Sequence, residues 1–198
     1  MTSFATHRLR VHDTARPAHR RLSALRTCLT EFAPYGFRAT YHHLCRSAGI
    51  PAELERDPGA LVRAVEELHA AREIWLSGQR AWEAGRRVQK GAGRRVPEPP
   101  APTRMLWCPD PEIHPTGPLP ALMPRIMRAR PGDPAAGCPL CGADHGTAER
   151  HDGHTAHRTC APCGISLALL PTHPSPQQLA EHTARWKLLW TRTAPARG

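Results

Sequence analysis

Four cysteines stand in two pairs, Cys138-Pro139-Leu140-Cys141-Gly142 and Cys160-Ala161-Pro162-Cys163-Gly164, with 18 residues between the pairs. A CxxC turn brings two thiolates together, and the glycine after it permits close backbone approach to the sulfurs. Two such turns complete a tetrahedron, the geometry of a structural Zn²⁺ site at Cys138, Cys141, Cys160 and Cys163. Four sulfur ligands leave no open position, so the metal would hold chain together and not activate water. The competing chemistry for the same turns is that of a redox dithiol. The chain has seven cysteines. An odd total with four in this spacing fits metal ligation in a reducing compartment better than a disulfide framework.

The residues between the pairs read as what would position them. Asp152-Gly153 is a hairpin signal between Thr147–His151 and His154–Thr159, and Ile165–Leu170 reads as a third strand. This order of knuckle, two strands, knuckle and strand resembles the zinc-ribbon family over about residues 136–171. The resemblance implies a structural metal in a fold that commonly serves nucleic-acid machinery, although many ribbons bind proteins or staple a small domain. Residues 138–163 carry −1, and four thiolates with one zinc bring that to −3, which repels phosphate. The ribbon is therefore expected as a structural or protein-contacting module. His145, His151, His154 and His157 read as surface residues, with a second metal at His151 and His154 the weaker alternative. Cys108 and His114 lack nearby partners, and Cys28 and Cys45 read as core residues.

Helical periodicity dominates the first half. Leu22, Leu25, Cys28 or Leu29, and Phe32 recur at three- and four-residue spacing until Pro34-Tyr35-Gly36. A second helix is expected after Thr40, burying Tyr41, Leu44, Cys45 and Ala48 before Gly49, and a third over Pro51 to Arg56 with Leu54 inward. Asp57-Pro58 opens a long helix to about Val88, with the stripe Leu61, Val65, Leu68, Arg72, Trp75, Gln79 and Trp82. That stripe is expected to pack on the preceding helices, with a homodimer as the alternative. Ala121 to Arg130 reads as a short helix, Met105-Leu106-Trp107 as an anchor, and Ser175-Pro176-Gln177-Gln178 as the start of a last helix.

The stretch Phe32-Ala33-Pro34-Tyr35-Gly36-Phe37-Arg38-Ala39-Thr40, continued by Leu44-Cys45-Arg46-Ser47-Ala48-Gly49-Ile50, resembles the start of the TetR-family DNA-binding domain. The resemblance implies a three-helix, helix-turn-helix unit over residues 22–65, with Pro51 to Arg56 in the recognition position.

Charge supplies an independent argument. The formal net charge of +10 lies mainly in residues 1–56, at +5, and 85–104, at +5. Such clusters attract polyanions, nucleic acid first. Arg8, Arg10, Arg16, Arg20 and Arg21 on an N-terminal arm, with Arg86, Arg87, Lys90, Arg94 and Arg95 in a linker, are the expected phosphate contacts.

The chain thus reads as mainly α with a small β zinc ribbon. Residues 1–20 form a mobile basic arm, 21–88 a helical domain, 89–135 a basic and then Pro-rich linker, and 136–193 the three-stranded ribbon with a terminal helix. No run approaches the ~20 apolar residues of a membrane span. The N-terminus lacks the apolar stretch of a secretory signal, so a cytoplasmic protein is expected. No phosphate-binding glycine loop and no convincing nucleophile and base are present. The expected function is non-enzymatic binding of double-stranded DNA, as a transcriptional regulator or mobile-element accessory factor. The alternative is an adaptor whose ribbon and Trp-bearing helices bind a protein partner.

Overall fold

The computed structural model describes residues 3–94, 117–128, 147–152, 155–161, 165–169, 175–177, 180 and 184. Its described part is mainly helical: α1 (Phe4–His12), α2 (Ala18–Glu31), α3 (Phe37–Ser47), α4 (Gly59–Gly91) and α5 (Leu119–Arg128), with one 3-10 turn at Leu54–Arg56. Three antiparallel strands follow, β1 (Thr147–Asp152), β2 (Thr155–Cys160) and β3 (Ile165–Leu169), in the order β1-β2-β3. Among the described residues, no helix is long and apolar enough to cross a membrane.

The apolar spacing of α2 puts Leu25, Cys28 and Leu29 inside, and Phe32 just beyond its end joins them. They meet Leu44 of α3 and Leu61, Val65 and Leu68 of α4. Each such side chain contributes about 1.5–3 kcal/mol when fully buried. Helix α3 starts at Phe37, earlier than the expected start after Thr40, and its buried residues are Ala39, Thr40, His43 and Leu44. Tyr41 and Cys45 are only half-buried. The helix closes in a Schellman motif: Gly49 has φ 66°, and the Ile50 N–H donates to the Cys45 carbonyl at 3.0 Å.

Three segments differ from the sequence-based expectation. The mobile arm expected over residues 1–20 contains α1, which buries Phe4, His7 and Val11 against α2 and α4. Its three inward positions recur at three- and four-residue spacing, but one is a histidine and arginines surround them, which weakens the periodic signal. The third helix expected over Pro51 to Arg56 is a single 3-10 turn. Prolines at 51 and 58 disfavour helical backbone at Ile50 and Asp57, and Asp57 accordingly sits at φ −146° and ψ 81°. Finally, α5 lies in what was expected to be linker. It packs on α4 and α3 and buries Leu119, Leu122, Met123 and Ile126.

Helix α4 is continuous for 33 residues, or about 50 Å, and its first half belongs to the core. Asp57 Oδ1 accepts the Ala60 N–H at 3.2 Å, as expected of an N-terminal cap. Ile74 and Trp75 still pack against the core, and beyond them the last roughly four turns of α4 carry no fully buried residue. Gly93, at φ 67°, ends the helix, and Arg94 N–H donates to the Gln89 carbonyl at 3.1 Å. The basic linker expected from residue 89 therefore begins as helix.

In the sheet, Asp152 pairs with Thr155, so Gly153 and His154 are the two residues between the paired strands. Asp152 thus belongs to the strand, and the rest of the expected Asp152-Gly153 turn lies outside the described residues. Pro176, Gln177, Ala180 and Ala184 are helical, and the rest of the expected terminal helix lies outside the described residues.

Candidate functional site

Of the ten cations expected to contact phosphate, several are engaged within the fold. Arg8 forks onto Glu66, with Nε and Nη2 each 2.6 Å from a carboxylate oxygen, and His12 Nε2 joins them at 2.7 Å. This tie holds α1 to α4. Arg21 is 3% exposed, and its Nε donates to the Val11 carbonyl at 2.7 Å, placing a cation at the C-terminal end of α1. Arg16 pairs with Asp13 at 2.8 Å, and Arg10 lies 3.5 Å from His7 Nδ1. Arg20 is exposed on α2. Arg86 lies 5.9 Å over the Trp82 ring, one turn earlier on α4. Arg87, Lys90 and Arg94 are exposed at the outer end of that helix, whereas Arg95 lies outside the described residues.

The Arg8 fork, with His12 behind it, pulls the Glu66 carboxyl down to about 2, against its ordinary 4.5. A carboxyl depressed by folding adds stability that is complete above the ordinary value and is lost as pH falls toward the folded one. Glu66 is 38% exposed, so solvent screening limits this contribution to about 1 kcal/mol. The urea midpoint of the protein is expected to fall between pH 5 and pH 2 more steeply than that of Glu66→Gln. Parallel pH profiles would dissociate the fork from stability.

A second polar centre is absent from the sequence reading. Glu67, on α4, accepts the Ser47 hydroxyl from α3, with both oxygens at 2.9 Å, and the Leu119 N–H from α5 at 2.7 Å. His43 Nε2 lies 3.3 Å from the same carboxylate, and both groups are almost fully covered. One carboxylate thereby joins three helices. Sequence offers no signal for it, because a lone glutamate on a charged helix looks like solvated surface.

Cys28 is fully buried, and burial pushes its thiol up to about 12. Burial also raises the Cys45 thiol. Cys28 sits in an apolar setting, which makes it a poor metal ligand, whereas half-buried Cys45 has Tyr41 and Arg26 beside it.

Of the four paired cysteines, Cys160 is described, and Cys138, Cys141 and Cys163 lie outside the described residues. Cys160 is 1% exposed at the last position of β2, paired with Thr147 on one side and Ile165 on the other. Cys163 follows three residues later in the sequence. A covered thiol sulfur at a strand end suits a thiophilic cation such as zinc. In the sheet register, His151 pairs with Ala156 and His157 pairs with Arg150. His154 lies outside the described residues. Among the described residues no three His, Cys, Asp or Glu side chains are grouped to hold a metal.

Comparison of the chain with family models, with curated proteins and with solved structures finds no match.

Proposed function

We propose that this chain is a non-enzymatic DNA-binding protein, a regulator or mobile-element accessory factor, whose C-terminal ribbon is held by a structural zinc ion. The observation that carries the DNA reading is the outer part of α4. Arg80, Arg87 and Lys90 recur at 7 and 3 residues along an exposed helix end, Arg94 follows at its cap, and only Glu83 opposes them there. Cations at a helix C-terminus also complement the backbone dipole, so they are maintained in place without a phosphate ligand.

Such an array contacts phosphates without reading bases, giving salt-sensitive and weakly selective binding. Base readout through the segment that resembles a recognition helix has less support. A 3-10 turn of three residues is about 6 Å long and carries Glu55 beside Arg56, after Glu53. That is too short to lie along a major groove. In the proposed arrangement Cys138, Cys141, Cys160 and Cys163 hold the zinc, which fixes the two turns against each other.

The test is fluorescence anisotropy with a labelled random 20-bp duplex across a salt series. Arg86, Arg87, Lys90 and Arg94 changed together to glutamine are expected to weaken binding by at least roughly a hundredfold at 0.1 M salt and to flatten the salt slope by about 3. An unchanged slope would remove the helix end from the interface. The adaptor reading, in which the ribbon and the Trp-bearing helices bind a partner, has exposed Val88 of α4, 73% accessible, in its favour and predicts no DNA binding even at low salt. Isolated apolar side chains at a surface are ordinary, which leaves the DNA reading ahead.

A further inference from the structure

Helices α2 and α3 carry exposed Arg20, Arg26, Arg38 and Arg46, while Glu31 is the only acid on either. Among the described residues, six carboxylates of the helical domain are engaged with other groups. Asp13 is bound to Arg16, Glu53 to Arg56, Asp57 to Arg63, Glu66 to Arg8 and Glu73 to Arg72, and Glu67 is buried at the helix junction. Exposed positive charge is therefore present on both helices. The Arg26 guanidinium of α2 lies 5.4 Å over the ring of Tyr41 on α3, and Arg38 stands one turn before Tyr41.

Arg26 also donates to the Tyr41 hydroxyl. A guanidinium held this way has already given up much of its rotamer freedom, and its remaining N–H donors can meet an anion. Less entropy is then lost when a phosphate binds, so a stacked arginine makes a stronger phosphate contact than a free one. We propose that Arg26, held by Tyr41, and Arg38 form a second duplex-DNA phosphate contact, separate from the outer end of α4. This rests on the DNA-binding reading and adds a surface to it. Tyr41 is a positioning residue: it fixes Arg26 and need not touch the nucleic acid.

The test uses the full chain, the same labelled random duplex and the same salt series. Arg26→Gln with Arg38→Gln is expected to weaken binding roughly tenfold or more at 0.1 M salt and to flatten the slope by about 2. Its melting temperature should fall by only a few degrees, because the Arg26–Tyr41 contact it removes is a weak one at an exposed site. Arg26→Lys with Arg38→Lys retains the charge and should restore the slope. Tyr41→Leu should weaken binding by a few-fold at unchanged slope, which a role confined to folding does not produce. If the glutamine pair binds as wild type while the α4-end variant is weakened, the second contact is overturned and the DNA reading stands. If wild-type protein binds no duplex at low salt, both are overturned.

Discussion

Chelation of protein purified without added metal is expected to release one zinc ion per chain and to melt the three-stranded sheet, leaving the helices folded. Strands of six, six and five residues bury too little apolar surface to stand alone. If four thiolates close on a zinc ion, metal binding and folding are one equilibrium, and structural sites of this type are worth about 10–16 kcal/mol at neutral pH. Cys160→Ser is the sharpest variant, because this sulfur ends β2 and is almost inaccessible. It should drop the zinc content below one per chain and remove amide protection from β2 and β3. The α2 and α4 amides should stay protected, since Leu25, Cys28, Leu29, Leu61, Val65 and Leu68 form a core between them. Full zinc content in Cys160→Ser, or a sheet unchanged by chelator, would dispose of the staple.

Glu67→Ala is expected to destabilise the helical domain by about 3 kcal/mol, the scale for removing one member of a buried, hydrogen-bonded charge cluster. The change leaves the Ser47 hydroxyl and the Leu119 N–H without their shared acceptor and beside an almost covered imidazole. Its largest effect should fall on α5. Hydrogen exchange at Leu122 and Met123 should accelerate more than exchange at Leu25 or Leu61. Glu67→Gln keeps an acceptor oxygen and should lose less. A midpoint within about 0.5 kcal/mol of wild type would mean that the apolar face of α5 alone secures it.

The parts of this fold that could be read in the sequence are those where one periodic pattern ran for several turns between clear boundaries. Helix α2 has its apolar stripe and a Pro-Tyr-Gly stop, and α4 has Asp57 at its start. Both lie close to the expected bounds. The strands were also legible, because turn residues and paired cysteines bracket them. Helix α1 was not, since nine residues with one histidine among three inward positions carry a weak pattern. It is held by tertiary ties to Glu66 and from Arg21 that no local window contains. Helix α5 was seen only as a short helix in a linker. Pro120 in its first turn is harmless and Pro124 removes one backbone bond, but together they mask a face of Leu119, Leu122, Met123 and Ile126.

The candidate interface followed the same division. Counting arginines located basic segments, yet could not tell a cation already bound to a carboxylate or carbonyl from one facing solvent. Arg8 and Arg21 have structural duties, and Arg87, Lys90 and Arg94 face outward. Arg26 and Arg38 escaped notice because they lie singly within amphipathic helices, where charge is expected on the outer side.

The hydrogen bond from Leu119 to Glu67 joins residues 52 positions apart. Closing a loop of that size costs about 3.5 kcal/mol of chain entropy beyond a fixed constant, more than the short connections among α1, α2 and α3 demand. Contacts of high sequence separation form slowly for this reason. The Arg8–Glu66 tie spans 58 positions, but α2 and α3 fold between its ends and shorten the effective loop. In a refolding experiment the three short helices and the inner half of α4 should therefore assemble first, with α5 arriving last. The newly made chain would pass through a stage in which the α3–α4 groove is complete but still open.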